Sequence, residues 1–494
     1  MVDLNKYQFE NMEKVSDSQP SVTTVAMEGK TQKLSLKREL GLLGAVSLIA
    51  GTMIGSGIFM SPQSVLLSIG SPGASLVIWM SCGLLAMLGS LSYAELGTVI
   101  QESGGEYIYI LRTSGPLVAF MLIFSSVTFA RPASIAGVAL SFAGYAVAPF
   151  YLGCTPPLLV VKCVAAAAII VLATVNCLNV RFSMSVQVFF LVAKVLALIV
   201  IVIGGVVMLV RGHTENFEDS FKNTKVGINP IGIAFFQGLW SYDGWNNLNY
   251  VTEELKRPEV NLPRAVLIAI PMVTVLYLLV NVSYLTVMTP KELISSNAVA
   301  VTWGNKVLGS WGWIMSVAAA LSAFGSLNGT FFSGGRVCFV AAREGHMPDI
   351  LSMAHVHRLT PSPALIFTTA ISLIVLIPGD FQTIVNFFSF TAWFFYAITL
   401  SGLLYLKIKK PELPRPYKVP ILIPIVVLIA AVLLVLAPII DDPQIEYLYV
   451  TLFIFSGALI YMPFIHYKVC PGGLKKLTVF LQLFLEVAPA DKNL

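Results

Sequence analysis

Two short stretches hold residue types suited to gripping a small charged molecule in apolar surroundings. The first is Gly51-Thr-Met-Ile-Gly55-Ser56-Gly57-Ile-Phe59. Glycine costs about 1 kcal/mol against alanine inside a helix, so a Gly-Ser-Gly run is a place where a helix unwinds. Unwinding frees N–H groups at the start of the next half-helix, and these, with the helix dipole, form an anion site. Close packing of small residues between helices is the other reading of the same glycines. The second stretch is Phe236-Gln-Gly238-Leu-Trp240-Ser241-Tyr242-Asp243-Gly244-Trp245-Asn246-Asn247. It sets a carboxylate, amides and bulky aromatics in one segment. An ionisable group at bilayer depth costs roughly 2.5–3.5 kcal/mol even on an insertion scale, and is a functional candidate for that reason. Lys194 in Phe189-Phe-Leu-Val-Ala-Lys194 and Arg131 in Ala130-Arg-Pro132 raise the same question.

The elements that must position these residues are membrane helices. Of 494 residues, 56% are hydrophobic and 12% charged, and mean hydropathy is +0.80. A soluble domain carries about 25% charge. Soluble enzymes, disordered chains, collagen-like chains and secreted disulfide scaffolds are excluded. A bilayer core takes about 20 apolar residues per helix, which predicts twelve spans: 41–68, 73–98, 117–148, 158–177, 184–210, 229–251, 265–288, 310–338, 363–379, 384–406, 419–440 and 446–466. The runs are continuous, whereas barrel strands would alternate. The polar first 40 residues hold no signal peptide, and the first span reads as a retained signal-anchor.

Lysine and arginine orient the spans. With both termini cytoplasmic, 23 of the 31 lie inside, Arg336 among them, and 5 outside, with Arg131, Lys162 and Lys194 within spans. The small net charge of +5 gives no reason to expect nucleic acid. Of six cysteines, only Cys154, in Cys154-Thr-Pro-Pro157, falls in an outside loop; the others, Cys470 included, face reducing surroundings or lie in spans. A lone outside cysteine is either an intermolecular bridge or an ordinary loop residue.

The interruptions sit in the first and sixth spans, in corresponding positions of two five-helix halves. Such pairing points to an inverted-repeat transporter with its site at the repeat interface. Gly51–Phe59, Ser103-Gly-Gly-Glu-Tyr107, Trp240–Glu254 and Ala342-Arg-Glu-Gly-His346 together resemble the light subunits of heteromeric amino acid transporters, of the amino acid–polyamine–organocation superfamily, and most of all the b(0,+)-type subgroup. The resemblance runs from about Leu36 to about Val487. It implies an all-α membrane protein of the LeuT type, with twelve transmembrane helices: a 5+5 inverted repeat, broken helices 1 and 6, and two further C-terminal helices. The expected parts are a cytoplasmic tail 1–40, repeats 41–210 and 211–406, two helices in 407–467, and a cytoplasmic tail 468–494.

It also implies sodium-independent exchange of neutral and dibasic amino acids, with cystine a candidate, by alternating access at the plasma membrane. The substrate carboxylate is expected on N–H groups of Gly55, Ser56 and Gly57. Its ammonium is expected on carbonyls of Ile54, Trp240, Ser241 and Tyr242. Asp243 matches a residue beside the substrate side chain; hydrogen bonding to its own loosened helix is the alternative. Trp240 matches a gating aromatic, or is a packed tryptophan. Lys194 matches a lysine that contacts the broken first helix and stands where a sodium ion sits in coupled relatives, or pairs with a carbonyl for structure alone. Arg131 faces the permeation path or binds helix-end carbonyls. Asn246 and Ser326 line the pocket or bond between helices. Lys162 lies near a span end and snorkels. Cys154 matches the cysteine that bonds a single-span heavy-chain glycoprotein, rBAT-type for this branch. The sequons at Asn281 and Asn328 fall inside spans. An apolar, amphipathic segment Leu474–Val487 is expected at the cytoplasmic interface. No cofactor, metal site or Gly-x-x-x-x-Gly-Lys loop is expected, His346, His355 and His357 notwithstanding. An exchanger preferring large neutral or aromatic substrates, and a scaffold that only presents a heavy chain, are the competing readings.

Overall fold

The computed structural model describes residues 36–151, 154–296, 298–440, 443–469 and 471–490. Most of the N-terminal tail, Cys470 and the extreme C-terminus lie outside them. The regular structure of the described residues is helical, apart from two three-residue strands.

The first predicted span is two helices, α1 (Leu42–Met53) and α2 (Gly57–Ile69), bent by 42° at the glycine run. α2 ends at Gly70, whose φ of 88° is left-handed and whose N–H bonds the Leu66 carbonyl at 2.8 Å, a glycine C-cap. α3 (Pro72–Val99) and α4 (Glu106–Ser114) follow. The third span is α5 (Pro116–Ser125), a π turn at Ser126–Ala130, then α6 (Arg131–Val147). Next come α7 (Leu158–Leu178), α8 (Val180–Val210) and α9 (Ile228–Ser241). Proline opens several of these helices, at a position where its missing N–H is not needed.

α9 has only 14 residues, and the rest of the sixth predicted span is turn and a 3₁₀ helix, Asn247–Glu254. α10 (Pro258–Val287) returns across the molecule. Two short helices, α11 (Pro290–Ser295) and α12 (Val299–Val307), precede α13 (Trp313–Arg343). The remaining helices are α14 (Ser362–Leu376), α15 (Phe381–Lys409), α16 (Leu422–Ile440), α17 (Ile445–Tyr461) and α18 (Pro471–Leu485).

Among the described residues nine helical segments are long and apolar enough to cross a membrane, or ten with α1 and α2 as one. The other two predicted spans fall short: α14 is a 15-residue apolar helix, and the sixth is broken. α1 and α2 are enclosed by α8, α9, α10 and α13, so the unwound backbone between them lies against protein, as lipid requires.

Three details depart from the linear reading. Arg336, counted with the cytoplasmic loops, is a fully buried residue of α13 bonded to Glu254 at 2.7 Å. The amphipathic C-terminal segment forms α18, but its end continues as a strand, Val487–Pro489, antiparallel to Met353–His355. The exposed Lys162 ammonium donates to the Ile377 carbonyl past the end of α14. Asn281 and Asn328 lie inside helices as expected and are buried: Asn281 bonds the Tyr277 carbonyl of its own helix, and Asn328 bonds Gln187 of α8.

Candidate functional site

The break between α1 and α2 is held open by hydroxyls from other helices. Ile54 leaves the helix at φ −75°, ψ 82°. Ser322 Oγ of α13 donates at 3.2 Å toward the Ile54 and Gly55 carbonyls. Ser326 Oγ, one turn on, donates to the Thr52 carbonyl at 2.7 Å. Tyr277 of α10 reaches the Met53 carbonyl at 2.5 Å and the Ser241 carbonyl at 2.7 Å, so one phenol ties the two interrupted segments together. The N–H groups at the start of α2 have no carbonyl a full turn before them in their own helix; those of Phe59 and Met60 bond the Ser56 carbonyl at 3.1 and 3.2 Å, and the Gly55 N–H, expected to hold a carboxylate, bonds the Met53 carbonyl at 2.9 Å.

At the second break, the Tyr242 N–H bonds Leu239 O at 3.0 Å and the Asp243 N–H bonds Trp240 O at 3.2 Å. Gly244 then takes φ 107°, where an added Cβ would meet Thr52 Cγ2 at 2.9 Å. A side chain there is excluded both by conformation and by space.

The two breaks border a small, partly open cavity. Gly55, Ser56, Gly57, Trp240, Asp243 and Ser326 line it, with Thr52, Met53, Val138 and Thr330. Thus six of the residues singled out in the sequence meet at one place. Trp240 closes one wall, its ring edge-on to Phe381 at 5.9 Å and Phe388 at 5.5 Å. The Ile54 and Ser241 carbonyls, expected to hold an ammonium, already accept from Ser322 and Tyr277; each carbonyl keeps a second lone pair. The Tyr242 side chain points away, its hydroxyl donating to the Trp79 carbonyl at 3.2 Å. Lys194 is buried and donates to the Gly51 carbonyl, near the end of α1.

Arg131 and Asn246 belong to a neighbouring cluster. Asn246 Nδ2 donates to Tyr250 Oη at 3.0 Å and lies 3.3 Å from Tyr396 Oη and 3.4 Å from Glu106 Oε2. Arg131 Nη2 is 3.9 Å from Glu106 Oε1, and its guanidinium stacks 4.3 Å from the Tyr250 ring centroid. Arg131 also interacts electrostatically with Asp243. Arg131, Glu106 and Tyr396 line a second small cavity.

Sequence reasoning missed Tyr277, Ser322, Glu106, Tyr250 and Tyr396. A tyrosine or serine in an apolar helix carries no linear signal. Glu106 had one, as the carboxylate of the Ser103-Gly-Gly-Glu-Tyr107 motif. Cys154 is exposed and its N–H bonds Tyr151 O at 3.3 Å. The histidines have other partners than a metal: His346 Nδ1 is 2.7 Å from Tyr107 Oη, and His355 Nδ1 accepts from the His357 N–H at 3.2 Å. Burial holds the His346 imidazole below its usual range.

A family model described as amino acid permease matches residues 40–463. The b(0,+)-type amino acid transporter 1 of Homo sapiens is 50% identical over 461 residues, 93% of this chain and 95% of the relative. The cystine/glutamate transporter of Homo sapiens is 41% identical over 467 residues, 94% and 93% of the two chains. The large neutral amino acids transporter small subunit 2 of Mus musculus is 43% identical over 401 residues, 80% and 75% of the two chains. The family match spans both breaks and every residue around the cavity, and on that ground the chain belongs to the amino acid permease family.

Proposed function

We propose that this protein is a sodium-independent exchanger of neutral and dibasic L-amino acids, cystine included, working by alternating access in a twelve-span LeuT-type fold. The observation that carries the reading is Asp243 on the wall of the cavity between the two breaks. An amino acid brings a carboxylate and an ammonium common to all substrates, which suit the N–H groups of Gly55, Ser56 and Gly57, just before and at the start of α2, with Gly55 exchanging its bond to the Met53 carbonyl, and the loosened carbonyls of Ile54, Trp240, Ser241 and Tyr242. Selectivity then falls to side chains, and a carboxylate pairs with a guanidinium or ammonium by charge-assisted hydrogen bonds. Ser326 contributes a hydroxyl to the same wall. Trp240 is the gate above it. Relatives named as b(0,+)-type transporters support the dibasic part.

In this reading 41–210 and 211–406 are the inverted repeats, 407–467 holds two further helices, and the tails 1–40 and 468–494 are cytoplasmic. Lys194 places an ammonium where a coupling cation would otherwise neutralise the end of α1, which accounts for sodium independence. Arg131 and Asn246, in the neighbouring cluster, flank the path. Cys154 bonds a single-span heavy-chain glycoprotein of the rBAT type at the plasma membrane.

The test is sodium-free uptake of labelled arginine into proteoliposomes of the purified chain, preloaded with leucine or left empty. Rapid uptake in loaded vesicles alone is expected. Tyrosine entry without arginine entry would instead favour the aromatic-preferring reading and return Asp243 to a structural role.

A further inference from the structure

Glu106 opens α4, and Arg131 is the first residue after the π turn of the third span. They face each other at 3.9 Å with side chains only 11% and 12% exposed. Glu106 is gripped from a second side: the Tyr250 hydroxyl donates to Oε1, and Asn246 Nδ2 lies 3.4 Å from Oε2. The Arg131 guanidinium is confined by the Tyr250 ring at 4.3 Å. Asp243 lies three residues before Asn246 in the chain and acts on the same guanidinium. One cation therefore serves two carboxylates, in surroundings that screen charge poorly. With both carboxylates ionised, the group holds one negative charge in excess.

This argument rests on the reading of Asp243 as the partner of a cationic substrate side chain. We infer that Glu106 is a positioning residue that sets the charge selectivity of the site. It holds Arg131 back from Asp243 and leaves the excess negative charge for the guanidinium or ammonium of a dibasic substrate. With Glu106 neutral, Arg131 pairs with Asp243 one to one, and a dibasic side chain meets a site with no charge to offer. Glu106 itself acts through Arg131 and does not touch the substrate.

The experiment compares initial uptake of arginine and leucine in sodium-free, leucine-loaded proteoliposomes of the full chain. The variants are Glu106→Gln, Arg131→Gln, the two together, Glu106→Asp and Asp243→Asn. One unit charge at about 10 Å and an effective dielectric of about 20 is worth about tenfold in binding. Glu106→Gln is expected to lower the arginine-to-leucine ratio by about that factor, and Arg131→Gln to raise it. The double variant again has one excess negative charge and returns the ratio to within about threefold of the starting chain; Glu106→Asp keeps it. A purely structural ion pair predicts equal loss of both substrates, and an unchanged ratio in the single variants overturns the inference. If Glu106→Gln fails to insert, Arg131→Gln decides alone, because an unchanged ratio there contradicts the charge count. Asp243→Asn separates the two levels. A lowered ratio there with none in Glu106→Gln sinks only the role of Glu106, whereas an unchanged ratio in Asp243→Asn sinks the underlying reading as well.

Discussion

Alanine at Gly55 and alanine at Gly57 both crowd the first break, but they crowd different kinds of neighbour. A Cβ at Gly55 would lie 2.6 Å from Ser326 Oγ and 2.7 Å from Ser326 Cβ, and the next atom, the Thr52 carbonyl oxygen, is at an ordinary 3.5 Å. A Cβ at Gly57 would lie 2.5 Å from Ser241 Oγ but also 2.6 Å from Ser241 Cα, which is backbone. Overpacking of this kind costs about 1–3 kcal/mol, or roughly 5- to 150-fold in a rate or affinity that depends on the geometry. Ser326→Gly deletes both offending atoms at Gly55. By itself it loses a hydrogen bond to Thr52, about 1 kcal/mol, and puts glycine in a helix, about 1 kcal/mol more. The double variant Gly55→Ala/Ser326→Gly is therefore expected to be no worse than Ser326→Gly alone, a coupling of about 1–3 kcal/mol. Ser241→Gly leaves the Cα in place, so Gly57→Ala/Ser241→Gly stays as impaired as Gly57→Ala. The assay is initial leucine exchange at equal reconstituted protein, with melting temperatures in detergent as the measure of folding. Rescue of Gly57→Ala by Ser241→Gly, or failure of Ser326→Gly to rescue Gly55→Ala, would refute the packing of α2 against α9 and of the first break against α13.

Three further outcomes are expected. Arg336→Met breaks a buried pair with Glu254 (side chains 0% and 1% exposed) and should cost about 3–5 kcal/mol, seen as a large fall in detergent melting temperature; replacing both members by apolar residues should recover much of it. His346 is held neutral by burial, so it binds fewer protons folded than unfolded. Its contribution to stability is present above about pH 6.5 and is lost as pH falls through the lowered folded value, and a melting curve against pH should flatten over that window in His346→Gln. Cys154→Ser should remove any reducible high-mass band formed with a coexpressed rBAT-type heavy chain on a non-reducing gel, and persistence of that band would put the bridge elsewhere.

Composition and the length of the apolar runs were enough for a helical membrane protein, because lipid forces every spanning segment to satisfy its own backbone. The predicted ends of most spans agree with the helices to within a few residues: 158–177 against Leu158–Leu178, 73–98 against Pro72–Val99. The first break was legible because glycines weaken a helix wherever they stand. The sixth segment is expected as one interrupted span, 229–251, and the structure fixes where and how it breaks. In the structure it is a 14-residue helix, a turn and a 3₁₀ helix, because Gly244 needs a left-handed φ and Tyr277 satisfies the Ser241 carbonyl from another helix.

Local chemistry, then, was enough to name Gly55, Ser56, Gly57 and Asp243, and the family resemblance added Trp240 and Ser326. Their meeting around one cavity, and the parting of Asn246 and Arg131 into a second cluster, depends on how α9, α10, α13 and α15 pack. Glu106 is 137 residues from Asp243 in the chain, yet the same guanidinium answers to both. Propensity and hydropathy act over a few turns of one helix. Charge balance acts through space across a poorly screening interior, and only the tertiary structure decides which charges share it.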